Sequence, residues 1–332
     1  MQQANSEPGQ SLWSQLQERS IDQLHIRLES IIVLVGLATL MAILSPYFLS
    51  VSNFMNILLA TSTIGVLAIA ATFVLSSGGL DLSIGSVLGL SGVVGAAVAV
   101  NLGMPTPIAV LATLGAGAMA GYISGLVITR GFVPAFIVTL GMLGIARGLA
   151  LVISDGRVIY GLPEWMLYLG QGRPFGVPMP VIIFIVVAVI MHVVLAYTRY
   201  GRHTLAIGDN ENAARTSGIN VEFHRLTLYT LSGGLAGLAG LLFATRINSG
   251  DPTAGITYEL TAITAAIIGG TNLFGGRGSI LGTMIGALIM GVLQNGLNLL
   301  AVQSYYQQMA IGSVLVLAVF IDQYQQRQET KV

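Results

Sequence analysis

Hydrophobic residues in this chain fall in long unbroken blocks, and polar residues gather between them. The blocks cover residues 31–46, 54–77, 85–102, 107–129, 134–154, 179–198, 226–246, 260–272, 279–300 and 304–321. Continuous apolar runs predict helices, because a membrane barrel needs apolar and polar positions to alternate in segments of roughly 10 residues. A hydrocarbon core of ~30 Å takes roughly 20 apolar residues per helix, so the blocks read as about ten crossings. The block at 260–272 is short enough to be a broken or re-entrant segment. The expected fold is all-α: a polytopic transmembrane helix bundle with some broken or re-entrant helices.

Composition sharpens this picture. Only 8% of the 332 residues are charged and 54% are hydrophobic, with a mean hydropathy of +0.80. A water-soluble surface carries about 25% charge, so most of this surface must face lipid. Between Glu29 and Arg130 the only charged residue is Asp81, and between Glu259 and Asp322 the only one is Arg277.

The positions of Arg and Lys set the expected orientation. An inside N-terminus and an even number of crossings put Arg19, Arg27, Arg130, Arg199, Arg202, Arg215, Arg225, Arg277, Arg327 and Lys331 inside. Only Arg157 and Arg173 fall clearly outside, with Arg147 and Arg246 near outer helix ends. Both termini are therefore expected in the cytoplasm. Residues 1–30 form an uncleaved cytoplasmic tail, 31–321 a single transmembrane domain, and 322–332 a second cytoplasmic tail. The external segment 155–178 carries Tyr160, Trp165 and Tyr168, aromatics of the kind that settle at the membrane interface.

The internal segment 199–225 carries a helix signal of its own. Asp209 or Asn210 suits an N-cap, Glu211 suits the positive helix end, and Gly218 suits a left-handed stop. Two turns of helix from Glu211 to Ser217 are marginal alone and need something to pack against. Asn212, Ala213, Ala214, Arg215 and Thr216 then form the body of this helix, with Asn212 and Arg215 offering polar contacts. It either rests on lipid headgroups or inserts into a cytosolic partner as a lever.

Two glycine-rich strings resemble each other. Residues 78–89 read GGLDLSIGSVLG and 269–282 read GGTNLFGGRGSILG, which suggests an internal duplication. Both follow a block expected to end inside. Broken helices at membrane depth are tolerated where protein or water surrounds the freed backbone, and transporters use such breaks to expose helix ends. Asp81, an ionisable residue within an apolar run, is a functional candidate on that ground. Alternatively, Asp81 or Ser83 simply caps the helix that starts near Ile84. Asn272 is the counterpart of Asp81 in the second string. Gln294, Asn295 and Asn298 line up as one polar stripe, either bonding between helices or touching a passing solute. Small residues at 115–125 and 233–240 favour close helix packing.

Other chemistry is absent from the sequence. There is no phosphate-binding GxxxxGK(S/T) string, no cysteine, and no histidine spacing that suits a metal. No catalytic residue, cofactor or metal is expected. A single lysine, Lys331, leaves no basic face for nucleic acid.

These strings resemble the inner-membrane permeases of bacterial ABC importers for ribose, xylose, arabinose and related monosaccharides. The likeness runs from about residue 44 to 322, through SPYFLSVSNFMNIL (45–58), SSGGLDLSIGSVLGLSG (76–92), ARGLALV (146–152), YGRHTLAIGDNENAARTSGINV (200–221), 251–300 and SYYQQ (304–308). It implies a homodimer in the bacterial inner membrane with a solute path on its two-fold axis. It also implies a periplasmic sugar-binding protein and a cytoplasmic ATPase that takes up residues 209–218. Ribose-type members match best. The alternatives are an ABC permease for another solute, such as a branched-chain amino acid or quorum signal, and a stand-alone secondary carrier.

Overall fold

The computed structural model describes the backbone of residues 12–329 and the side chains of residues 28–324 other than Asp322. Residues 1–11 and 330–332 of the two expected tails lie outside the described residues. The described chain is all-α apart from one two-stranded ribbon. In order it forms α1 (Leu12–Leu44), α2 (Val51–Ser76), α3 (Ile84–Ala96), α4 (Thr106–Arg130) and α5 (Ala135–Ser154). A strand β1 (Ile159–Tyr160), α6 (Glu164–Gln171) and α7 (Met179–Tyr197) follow. Next come α8 (Arg199–Asp209), α9 (Glu211–Thr216), α10 (Val221–Ile247) and strand β2 (Ser249–Gly250). The chain then completes α11 (Tyr258–Ile268), α12 (Ile280–Leu299) and α13 (Ser304–Glu329).

Every apolar block forms a helix, and eight helical segments are long and apolar enough to cross a membrane. These are α2, α3 with its π-helical extension to Asn101, α4, α5, α7, α10, α12 and the Ser304–Ile321 part of α13. Two blocks fall short of that length. The apolar part of α1 runs Leu28–Leu44, and α11 has 11 residues, which at 1.5 Å each is roughly 16 Å.

Local chemistry sets the starts. Prolines 105, 134 and 178 precede α4, α5 and α7, where their preset φ suits the first turn and no N–H is lost. Ser50, Asn220 and Ser279 cap α2, α10 and α12 by accepting the amides of Asn53, Phe223 and Gly282.

Packing follows the small residues. The helices α4 and α10 cross on Gly117, Gly121, Gly233 and Gly237, and a Cβ on Gly117 would sit 2.7 Å from the Cα of Gly237. Glycine at such a crossing lets backbones meet, as the small-residue spacing predicts. Helix α2 is enclosed within the bundle, whereas α5, α7 and α13 leave most of their apolar surface open.

Two connections expected as loops are structured. Segment 199–225 is mostly helix: α8 continues beyond Thr198, and α10 begins at Val221, five residues before the apolar block. Polarity hid these turns, although Thr198 and Asn220 are caps that extend the helices outside the greasy part. Segment 155–178 contains α6, whose Met166 and Gly170 are buried, and β1, which pairs antiparallel with β2. That ribbon of two residues per strand lies outside the apolar blocks and leaves the all-α architecture unchanged. A left-handed Asn248 (φ 54°) turns the chain there, and its side chain accepts the amide of Leu162 at 3.0 Å.

One end of the bundle, here the near end, gathers the C-terminal end of α2, the start of α5, and α8, α9 and the 269–278 turn. The far end carries α6 and the ribbon.

Candidate functional site

The near end is organised around α9. Asn210 is its cap: the backbone there is extended and the side-chain oxygen accepts the amide of Ala213 at 3.0 Å. Asp209, the other cap candidate, is instead the last residue of α8 and is exposed. The stop is as expected. Gly218 has φ +84°, and the amides of Gly218 and Ile219 return to Arg215 and Ala214, the bonding of a left-handed helix end.

Six residues of helix need support, and Ala214 supplies it by packing with Ile207 and Val221 in a small separate core against Ile219. Asn212, Ala213, Thr216 and Ser217 stay exposed. Arg215 is exposed as well, and its guanidinium is shared with neighbouring acids. It pairs with Glu211 at 2.9 Å and with Glu222, and Arg225 pairs with Glu211 at 2.7 Å. Partial burial works against the Glu211 charge, but the hydrogen bonds and charges of Arg215 and Arg225 outweigh it and hold the carboxyl below its ordinary value. The same contacts, with Glu222 first, raise Arg215. The pairs clip α9 to the first turn of α10.

The α8–α9 elbow is seated on both glycine turns. A Cβ on Gly208 would meet the carbonyl oxygen of Ser76, the amide of Gly276 and the Cα of Gly275. The amide of Gly276 also donates to Ser76 at 3.0 Å. Bare backbones thus interlock where α2 ends, where α8 ends and in the turn before α12. Gly275 and Gly276 lie in the second glycine string read from the sequence, but their contact with Gly208 was not expected; a glycine next to a cap was the available signal. Beside this contact lies a cavity of about 360 Å³, lined in part by Gly78, Gly79, Phe132, Pro134, Arg225 and Tyr229.

The two glycine strings do the same job in different registers. After α2, Gly78 (φ +75°) ends the helix and the amide of Gly79 returns to Val74. After α11, Gly270 (φ +84°) ends the helix and the amide of Thr271 returns to Ala266. Each stop is followed by a turn closed by the acid or amide side chain. Asp81 accepts the amide of Ser83 at 3.0 Å, and Asn272 accepts the amide of Phe274 at 2.7 Å.

Asp81 is 4% exposed. Its carboxylate also accepts the hydroxyls of Ser83 at 2.6 Å and Ser232 on α10 at 2.7 Å. Ser83 precedes α3 without a side-chain cap bond. Neither residue caps α3 through its side chain; Asp81 closes the turn before the helix and ties it to α10. Asn295 and Asn298 do not act as one stripe: Asn295 donates to Asn53 on α2 at 2.9 Å, while exposed Asn298 accepts from Gln307 on α13 at 2.8 Å.

An all-α chain with eight helical segments long and apolar enough to cross a membrane has the architecture of a multi-pass membrane protein. The chain belongs to the family described as the permease component of the branched-chain amino acid transport system, whose profile matches residues 53–319. It is 44% identical over 302 residues to the ribose import permease protein RbsC of Escherichia coli K12, covering 90% of this chain and 94% of that one. It is 42% identical over 288 residues to RbsC of Bacillus subtilis, covering 86% and 89%. Against the L-arabinose transport system permease protein AraH of E. coli K12 the identity is 37% over 291 residues, 88% of each chain. It is a multi-pass membrane permease and not an enzyme.

Proposed function

We propose that this chain is the membrane-spanning permease of an ATP-driven bacterial importer for ribose or a similar monosaccharide. The observation that carries the substrate is the 44% identity, along 90% of the chain, to a protein named for ribose import. Relatives named for D-allose and L-arabinose share 39% and 37%. In this reading the near end faces the cytoplasm, together with both termini, the 1–30 and 322–332 tails and the 199–225 segment. Segment 155–178 faces the periplasm. All ten apolar blocks enter the inner membrane, α11 from one side only, so the 31–321 domain has both broken and re-entrant helices.

Residues 209–218 meet a cytoplasmic ATPase, and the far end receives a periplasmic sugar-binding protein. A second copy of the chain completes the solute path, with Asp81, Ser83, Asn272, Asn295 and Asn298 holding the gating turns and helices beside it. What supports a lever role for α9 is its construction. Its caps, ion pairs and private core let six residues move as a unit, and its elbow is seated on both glycine turns.

Uptake by the reconstituted permease, ATPase and binding protein in liposomes tests the proposal. Labelled ribose should enter only with ATP. Uptake of L-leucine instead would favour the amino-acid reading that the family description names, and ribose uptake by the permease alone would make it a secondary carrier.

A further inference from the structure

Arg147 carries charge at a depth where a membrane tolerates little. It follows Ala135, the first residue of α5, by 12 positions (147 − 135), or roughly 18 Å from the near end. The 11 residues of α11 put its first turn roughly 16 Å from the same end. Both distances are about half of a ~30 Å hydrocarbon core. One terminal nitrogen of Arg147 donates to the carbonyl of Ala254 at 2.8 Å and to that of Pro252, which ties α5 to the 251–257 segment at this level.

Two acids sit in its field, Glu259 on the first turn of α11 and Asp251. Neither lies within ion-pairing distance of it among the described residues. Two glycines one helical turn apart on α3 make room for the group. A Cβ on Gly85 would strike the Glu259 carboxylate, and one on Gly89 would sit 2.9 Å from the Arg147 nitrogen. Glu259 and Arg147 therefore rest against successive turns of α3.

Irregular backbone and ionisable side chains at mid-depth do not face lipid tails; they face protein or a water-filled space. Arg147, Asp251 and Glu259 are only half-buried, and Thr253 is exposed. Along α5 beside Arg147, Gly141, Gly144 and Gly148 have nothing within 4 Å of a notional Cβ. Charge, bent backbone and open space coincide here.

We infer that Arg147, Asp251 and Glu259 form a mid-membrane contact site for a neutral polyhydroxylated solute, which passes along the open glycine face of α5 beside the 251–257 segment. The inference rests on the reading of the chain as a monosaccharide permease. Carboxylates only accept hydrogen bonds and a guanidinium only donates them. Neighbouring hydroxyls do both, so a polyol can bridge charged groups that stand close without pairing. Two acids to one base disfavours an anion.

The chain has no cysteine, so Thr253→Cys supplies a single thiol per permease chain, read on the permease band of the complete transport complex. Saturating D-ribose should slow its labelling by a membrane-impermeant maleimide at least about threefold, as expected when occupancy exceeds two-thirds, while L-leucine leaves the rate unchanged. In a second arm, Glu259→Gln should lower ribose imported per ATP hydrolysed while the complex still assembles and hydrolyses ATP. A parent complex that imports ribose while labelling ignores ribose overturns the site, as does Glu259→Gln importing at the parent rate per ATP. A parent complex that imports leucine and not ribose overturns the proposed function instead, and labelling slowed by leucine alone goes with that outcome.

Discussion

At the scale of single residues, Asp81 shows how much work one buried acid does by accepting bonds. Its oxygens hold the Ser83 amide and the hydroxyls of Ser83 and Ser232. Asp81→Asn keeps an acceptor for the turn, and the Ser232 hydroxyl can rotate to accept from the new amide. The expected result is a small change in the melting temperature of the purified protein. Asp81→Ala strands buried donors, at about 1–3 kcal/mol for each, and should lower that temperature by many degrees. Equal effects of the two changes would argue against this turn-closing role.

Glu211 gives a pH dependence with a definite sign. Its carboxyl is held below the ordinary value in the folded protein, so its contribution is complete above the unfolded glutamate value of about 4.3. That contribution disappears as pH falls through the lower native value. Amide protection factors in 211–217 should drop below that window and hold above pH 5, with the effect tempered by solvent screening. Loss of protection between pH 5 and 7 would contradict the ion-pair account.

At the scale of elements, the caps of α9 were readable and its partners were not. Asn210 and Gly218 announce start and stop through local backbone chemistry, which depends only on neighbours in the chain. The private core of Ile207, Ala214 and Val221, and the turning-back of Arg215, depend on how α8 and α10 fold around α9. Gly218→Val places a β-branched residue at φ +84°, which costs roughly 1–2 kcal/mol by sterics alone. The chain should still insert, while ATP-dependent uptake falls several-fold because α9 loses its stop. Unchanged uptake would remove α9 from the coupling path. The asparagines of α12 teach the opposite lesson. Their spacing suggests one stripe, yet Asn295 and Asn298 reach different helices, because a bundle surrounds α12 on more than one side.

At the scale of the whole molecule, an excess of arginine on one side predicts which end faces the cytoplasm, and the fold gives that end its parts. Ser217 is exposed just after α9, so Ser217→Cys supplies a lone thiol in this chain at the near end. It should react with impermeant maleimide in inside-out vesicles and stay silent in right-side-out ones. Labelling from the periplasm would invert the arrangement and end the coupling proposal.

The sequence by itself determined that this is a helical membrane protein, roughly where its helices lie and which permeases it resembles. Those properties rest on local sums: apolar length against membrane thickness, and caps against neighbouring amides. Only the tertiary structure decided that Gly208 closes on two distant glycine turns, that the two glycine strings stop their helices one residue out of step, and that Arg147 meets the carbonyls before α11. Those contacts join residues far apart in the chain. Their energy comes from close backbone approach and from satisfying polar groups away from water, and neither leaves a period or spacing in the sequence.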